Sequence, residues 1–259
     1  MRCLFLEQYT AWKALITSGG AVTEWQRFYV YFYQAFIEKD RWQQYLKGVG
    51  TTLYVTAFAL LLGVILGVIV AVVRTAHDQQ RPGHRNPILG ILNFIFKIYV
   101  TVIRGTPMMV QLLIMGFVIF ASSKNFVMVG ALTLGINSGA YQAEIIRGGL
   151  MSVDAGQMEA SRSLGINYVD TMRFVIIPQA IKAILPALGN EFIVLLKDTS
   201  LISVIGGKEL LYAARAIVSR TYEAMYPFLG TAVIYLVLVM IFTWLLGIFE
   251  RRLRTSDRR

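Results

Sequence analysis

Four stretches of this chain run without a charged residue for long enough to cross a lipid bilayer. Residues 48–73 and 224–249 hold 26 such positions each, and 105–123 and 125–143 hold 19 each. A hydrocarbon core of about 30 Å takes roughly 20 helical residues, so each stretch can span. A fifth candidate, 183–205, is interrupted by Glu191 and by Lys197-Asp198. In lipid every backbone N–H and C=O must find a partner within the protein, which leaves helices or a closed barrel. No alternating ten-residue pattern suggests a barrel, so the expectation is an all-α membrane protein with five transmembrane helices. At 56% hydrophobic and 15% charged residues, a chain of 259 is too apolar for a soluble domain.

The chain divides into an external or interfacial arm (1–47), a membrane domain (48–253) and a basic tail (254–259). Arg2 gives the arm a weak basic start, but Glu7 and Lys13 interrupt the apolar run too early for a signal peptide. Residues 25–37 (W-Q-R-F-Y-V-Y-F-Y-Q-A-F-I) are aromatic-rich and too short to span, which predicts a helix lying at the headgroup level. Cys3 is alone, so no intramolecular disulfide is expected. His77 and His84 share one polar loop without further ligand candidates, so no metal site is expected there.

Of the 25 Lys and Arg residues, eleven fall in 74–87, 147–173 and 251–259, while another eleven are spread over 1–47, 124 and 197–225, mixed with seven acids. The denser set marks the cytoplasmic side. With five spans, the N-terminus is outside and the C-terminus inside, its arginines on anionic lipid. Nucleic-acid binding is the rival reading of that tail, which is short and juxtamembrane.

Gly63 and Gly67 form a small-xxx-small pair that invites close approach of a second helix. Pro82-Gly83 and Asn86-Pro87 mark a turn. Residues 88–104 carry Lys97 and Arg104 on one face, which suggests a helix near the cytoplasmic boundary rather than a full span. Pro107 disfavours helix at Thr106 and starts the next span. Glu144 and Arg147, three apart, can pair on one face; an anchoring ion pair and a gating role are both open.

The polar segment 157–178 is the most informative of the loops. Asp154 with Gln157 has capping-box spacing, so a helix should start at Ala155, and Gly165 suits the left-handed position that ends it. Asn167 with Asp170 restarts a second helix leading to Pro178. Ala160, Ser161 and Leu164 are expected on one side of the short helix, a face of small residues flanked by an apolar one, with Glu159 beside it.

Glu159-Ala160, then Gly165, then an apolar run ending at Pro178 resembles the E-A-A–G–I-x-L-P loop of binding-protein-dependent ABC importers. The resemblance implies that Glu159, Ala160, Ser161, Leu164 and Gly165 dock on an ATPase subunit and transmit its closure to the membrane helices. Y-L-K-G-V-G-T-T-L-Y-V-T (45–56), I-R-G-T-P-M-M-V-Q-L (103–112), S-G-A-Y-Q-A-E-I-I-R-G-G (138–149) and L-P-A-L-G-N-E-F-I-V-L-L-K-D-T-S-L (185–201) are similar to the polar amino-acid permease subfamily, of histidine, glutamine and arginine type. Ser161 departs from the family's second Ala, and Asp154 stands where Pro often precedes the loop. The N-terminal arm has no recognised counterpart.

No Gly-Lys-Ser/Thr phosphate loop is present, so ATP and Mg²⁺ belong on a partner chain, and no catalytic constellation recommends itself. Pro186 and Gly189 ahead of Asn190-Glu191 suggest a weakened helix whose carbonyls are freed, as where transporters hold substrate. Glu191 in lipid costs about 3 kcal/mol, so it faces a cavity or is hydrogen-bonded within a dimer. Lys197-Asp198 lies at the outer interface if the fourth span is 174–196, and within the membrane if it begins near Ala183. Gln111, Tyr141, Asn190, Glu191 and Asp198 are the candidate contacts for an amino acid, with Glu191 favouring a cationic group. The expected partners are an ABC ATPase, an extracytoplasmic amino-acid-binding protein, a second permease copy or paralogue, and the bacterial inner membrane. Another small solute (an opine, a betaine, methionine) and an ion-driven secondary transporter are the rival readings.

Overall fold

A computed structural model describes residues 2–80 and 86–255, with side chains from Glu7 to Gln80 and from Asn86 to Arg252. The Pro82-Gly83 turn, His84 and the side chains of the 254–259 tail lie outside the described residues. The chain is all-α, as expected, with no strand among the described residues.

The arm folds as a helical hairpin, α1 (Arg2–Thr17) and α2 (Glu24–Phe32). Thr23 and Gln26 close a reciprocal capping box at the start of α2. A π-turn (Tyr33–Ile37) and a short 3₁₀ turn at Glu38–Asp40 lead into α3 (Trp42–Asp78). Lys39 and Asp40 sit at positive φ there, so the chain reverses sharply between arm and span.

Next come α4 (Pro87–Gly105), α5 (Met108–Ile114), α6 (Phe126–Met151) and the short α7 (Ala155–Ser163). Asn86 caps α4 and Pro87 occupies its first turn. α8 (Tyr168–Thr171) runs through a π-turn (Met172–Ile176) into α9 (Ile177–Asp198) and a 3₁₀ segment (Thr199–Ile205). α10 (Leu210–Thr221) and α11 (Met225–Thr255) complete the fold.

Among the described residues four helices are long and apolar enough to cross a membrane: Trp42–Asp78, Pro87–Gly105, Tyr168–Ile205 and Met225–Arg252. The five expected spans are therefore not matched one for one. The expected span 105–123 is only Met108–Ile119, too short to cross alone at 1.5 Å per residue. Residues 88–104, expected to lie at the boundary, are instead the candidate span α4. The two are joined in space. Val100 of α4 packs with Val70, Ala140 and Ala143, while Leu112 of α5 packs with Val129 and Leu134. α4 and α5 thus both pack along α6, separated by a break at Gly105–Pro107.

α3 and α6 make the most extensive pairing. On α3 the buried Gly48, Thr52, Val55, Thr56, Ala59, Gly63, Gly67, Val70 and Ala71 recur at helical spacing as a stripe of small side chains. A Cβ on Gly67 would stand 2.9 Å from the Gln142 Cβ and 3.0 Å from the Ala143 nitrogen, so only glycine permits this approach. The expected small-xxx-small contact is there, and its partner is α6.

Apolar packing is arranged in tiers along this pair. Tyr45, Leu210, Ala214 and Ile217 form one end. Val55, Ala59, Leu134 and Leu195 follow, and Ala71, Ile146, Ala180 and Ile184 lie toward the other end. α4 and α11 bury almost none of their apolar side chains fully, and Phe94, Ile98, Met240 and Trp244 are exposed, as surfaces meant for lipid or another chain require.

Candidate functional site

Between the apolar tiers lies a polar layer at the midpoint of α6. Ser138 donates a 2.8 Å hydrogen bond to the Glu191 carboxylate of α9. The Gln142 amide donates to the Ser138 Oγ at 2.8 Å. Gln142 is fully buried because α3 has no side chain at Gly63; a Cβ there would lie 2.5 Å from its Nε2. Asn137 donates to Gln111 Oε1 at 2.9 Å, and Tyr99 of α4 donates to the Ile136 carbonyl at 2.5 Å. Four neighbouring positions of one helix thereby reach α3, α4, α5 and α9.

The break between α4 and α5 is finished by Gln111. Its Nε2 donates to the Ile103 carbonyl at 2.8 Å, the Thr106 carbonyl at 3.2 Å and the Thr106 Oγ1 at 2.7 Å. Gln111 satisfies carbonyls that the helix end would otherwise strand. Its amide is engaged at both ends, so the structure gives it the break to hold. A cavity of about 250 Å³ lined by Ile103, Thr106, Gln111, Thr133 and Ile136 lies against this point.

The other proposed contacts fall differently. Tyr141 is 39% exposed and carries the Arg104 guanidinium over its ring at 5.2 Å. Asn190 is exposed on the far side of α9 from the buried residues. Asp198 ends α9, seven residues or about 10 Å from Glu191, and is half-buried. The helix runs on across the expected break, although Pro186 donates no N–H within it. α9 stays α-helical through Pro186 and Gly189, and Gly189 instead makes room for Leu246 of α11, whose Cδ1 would meet a Cβ at 2.1 Å. The irregular backbone at this depth is at Gly105–Pro107.

At the opposite end of α6, Glu144 accepts from Arg147 at 3.1 Å and also from Arg74 of α3. The expected ion pair is present, with a third member from a helix seventy residues away.

The polar loop starts and stops its helix where expected, though Asp154 caps it without closing a box with Gln157. Asp154 caps α7, accepting from the Gly156 N–H at 2.6 Å, and Asn167 caps α8, accepting from the Asp170 N–H at 2.9 Å. Gly165 adopts φ +82°, with Gly165 N–H bonded to the Arg162 carbonyl and Ile166 N–H to the Ser161 carbonyl. That is a Schellman stop. Ala160 and Leu164 (82% exposed) share the outward face with Glu159 close by, but Ser161 is buried and donates to the Gln157 carbonyl. Ser161 therefore leaves the expected face, because a step of one residue turns it about 100° from Ala160. A cavity of about 530 Å³ lies behind the helix, between Thr75, Gln79, Met151, Met158, Arg162 and Tyr168. The Tyr168 hydroxyl closes one wall by donating to Gln79.

A family model described as the inner membrane component of binding-protein-dependent transport systems matches residues 83–255. The chain belongs to this family and is the permease subunit of such a transporter. It is 33% identical over 216 residues to the glutamine transport system permease protein GlnP of Escherichia coli strain K12, covering 81% of this chain and 92% of that protein. The putative glutamine permease of Rickettsia bellii is 33% identical over 214 residues, covering 82% and 93%. A crystal structure of an amino acid ABC transporter with histidines superposes with TM-score 0.72 at 42% identity, over 81% of this chain and 94% of that one. The MetNI methionine ABC transporter, in an inward-facing form, shares the fold at TM-score 0.67 and 20% identity, over 80% and 95%.

Sequence reasoning did not single out Arg74, Asn137, Ser138, Gln142 or Tyr168. Their partners lie on other helices, so no spacing within one segment reveals them.

Proposed function

We propose that this chain is the permease of an ATP-driven importer of polar amino acids, and that the layer around Glu191 holds the amino acid during passage. The observation that carries the reading is a carboxylate at mid-depth that is hydrogen-bonded to Ser138 but faces no cation among the described residues. A charge at that depth needs a partner, and an arriving ammonium, guanidinium, imidazole or amide supplies one. Relatives that carry glutamine in their names agree with a basic or amide amino acid.

In this reading a separate ATPase, carrying ATP and Mg²⁺, seats on the outward face of α7 through Glu159, Ala160 and Leu164. Gly165 sets the angle of that helix, and Ser161 packs it to the protein. Closure of the ATPase moves α7 and with it α6 and α9, the two helices that share Ser138 and Glu191, so the site opens alternately to either side. The chain sits in a bacterial inner membrane with its N-terminus outside and C-terminus inside. A binding protein delivers ligand outside, and a second permease, identical or a paralogue, completes the pore.

The test is uptake of labelled Arg, His, Gln and Glu into proteoliposomes holding the complete complex and its binding protein. Basic or amide amino acids should enter, and Glu191→Gln should slow entry at least about tenfold, the loss of one charge-assisted contact, with the ATPase still assembled. Unchanged uptake by the variant removes Glu191 from the site. Failure of every amino acid to enter rejects the substrate class.

A further inference from the structure

Arg104 is the last charged residue of α4, immediately before the Gly105–Pro107 break. It stands level with the middle of α6, because its guanidinium lies over the Tyr141 ring at 5.2 Å. Its side chain is exposed in this protomer, and among the described residues no carboxylate is within ion-pair distance of it. An arginine in that position is costly in hydrocarbon, by about 2.5–3.5 kcal/mol on insertion scales, so it faces a wet cavity or an anion. The ordinary duty of an arginine in the last turn of a helix is to the stranded carbonyls. Here Gln111 already serves Ile103 and Thr106, which leaves the guanidinium free for another acceptor.

Tyr141 and Ser138 are three residues apart on α6, hence neighbours on one face. Tyr141 carries Arg104, and Ser138 carries Glu191. A cation and a carboxylate are thus held at neighbouring positions of one helix, Tyr141 half-exposed and Ser138 buried, without an ion pair between them. A guanidinium binds a carboxylate through two parallel N–H···O bonds, which fixes orientation as well as charge.

We propose that Arg104 binds the α-carboxylate of the transported amino acid and so sets its orientation against Glu191. The proposal rests on the transport reading above and adds to it the end of the ligand that Arg104 holds.

The experiment measures equilibrium binding of L-arginine, L-histidine and L-glutamine, and of their α-carboxamides, to the purified permease–ATPase complex without binding protein. Wild type should prefer each acid over its carboxamide by roughly ten- to a hundredfold, the worth of a charge-assisted pair. Arg104→Gln should bind acid and carboxamide alike, with Arg104→Lys between them. ATPase stimulation by the binding protein verifies that each variant is assembled. An Arg104→Gln complex that keeps the wild-type preference overturns the Arg104 assignment and leaves the transport reading standing. A wild-type complex that binds none of the three amino acids overturns both. Loss of ATPase stimulation in Arg104→Gln, with Arg104→Lys assembled and showing no loss of preference, also counts against the assignment.

Discussion

The Tyr168 hydroxyl, just past the Schellman turn that ends α7, donates a hydrogen bond to Gln79 at the C-cap of α3. The two residues are 89 apart in sequence. The loop that follows α7 is therefore fastened to the first span as well as to α6 and α9, which precede and follow it in the chain. A displacement of α7 reaches α3 without passing through the polar layer.

Tyr168→Phe removes that tie and little else, since Tyr168 is 42% exposed. Its stability cost should stay under about 1 kcal/mol. Amino acid moved per ATP hydrolysed should fall severalfold. Parallel measurement of uptake and hydrolysis in proteoliposomes checks this, and an unchanged ratio would show that the tie transmits nothing.

Glu144 holds two arginines from two helices, and the three side chains are between 17% and 26% exposed. Glu144→Gln leaves Arg74 and Arg147 facing each other and should cost about 2–3 kcal/mol, somewhat less than breaking a fully buried pair. Thermal unfolding in detergent measures it. Arg74→Met in the same chain should recover part of the loss, because the repulsion goes with it; additive effects would mean that the network is not coupled.

Gly48 and Gly50 form a matched pair of probes in α3. A Cβ on Gly48 would lie 2.7 Å from the Leu210 Cα of α10, whereas nothing lies within 4 Å of one on Gly50. Gly48→Ala should therefore destabilise by about 1–3 kcal/mol through backbone displacement. Gly50→Ala should be neutral or stabilise by about 0.5–1 kcal/mol, the helix preference of Ala over Gly. Equal melting temperatures for the two variants would contradict the α3–α10 contact.

The arm is fastened by Glu38, which accepts from Lys13 at 2.8 Å and pairs with Arg41 at 3.0 Å. Burial raises the Glu38 carboxyl, but the Lys13 hydrogen bond and the charges of Lys13 and Arg41 outweigh it and hold the pKa below the ordinary 4.5. A depressed folded pKa means stability that is present above about pH 4.5 and lost as pH falls through the lower folded value. The α1–α2 hairpin should thus detach below pH 4.5 before the membrane helices unfold. Emission from Trp12 and Trp25 against pH would show it, and Glu38→Gln should abolish that transition.

Much of this protein is legible one segment at a time. The apolar stretches, the caps at Asp154 and Asn167, the left-handed Gly165 and the Gly63–Gly67 stripe are local consequences of hydrophobicity, side-chain hydrogen bonding and the missing Cβ. Those local signals are enough to make the chain helical and membrane-bound and to place a short capped helix in its polar loop.

What local signals could not determine is which polar residues meet. The span expected at 105–123 is cut to Met108–Ile119, while the preceding Pro87–Gly105 is long and apolar enough to cross. Ser161 turns inward to the Gln157 carbonyl, Gln111 bridges the α4–α5 break and Asn137, and Ser138 meets Glu191 of another helix. These outcomes depend on where neighbouring helices lie. A buried polar group must find its partner across a helix interface, and that interface exists only after the α3–α6 pair has closed.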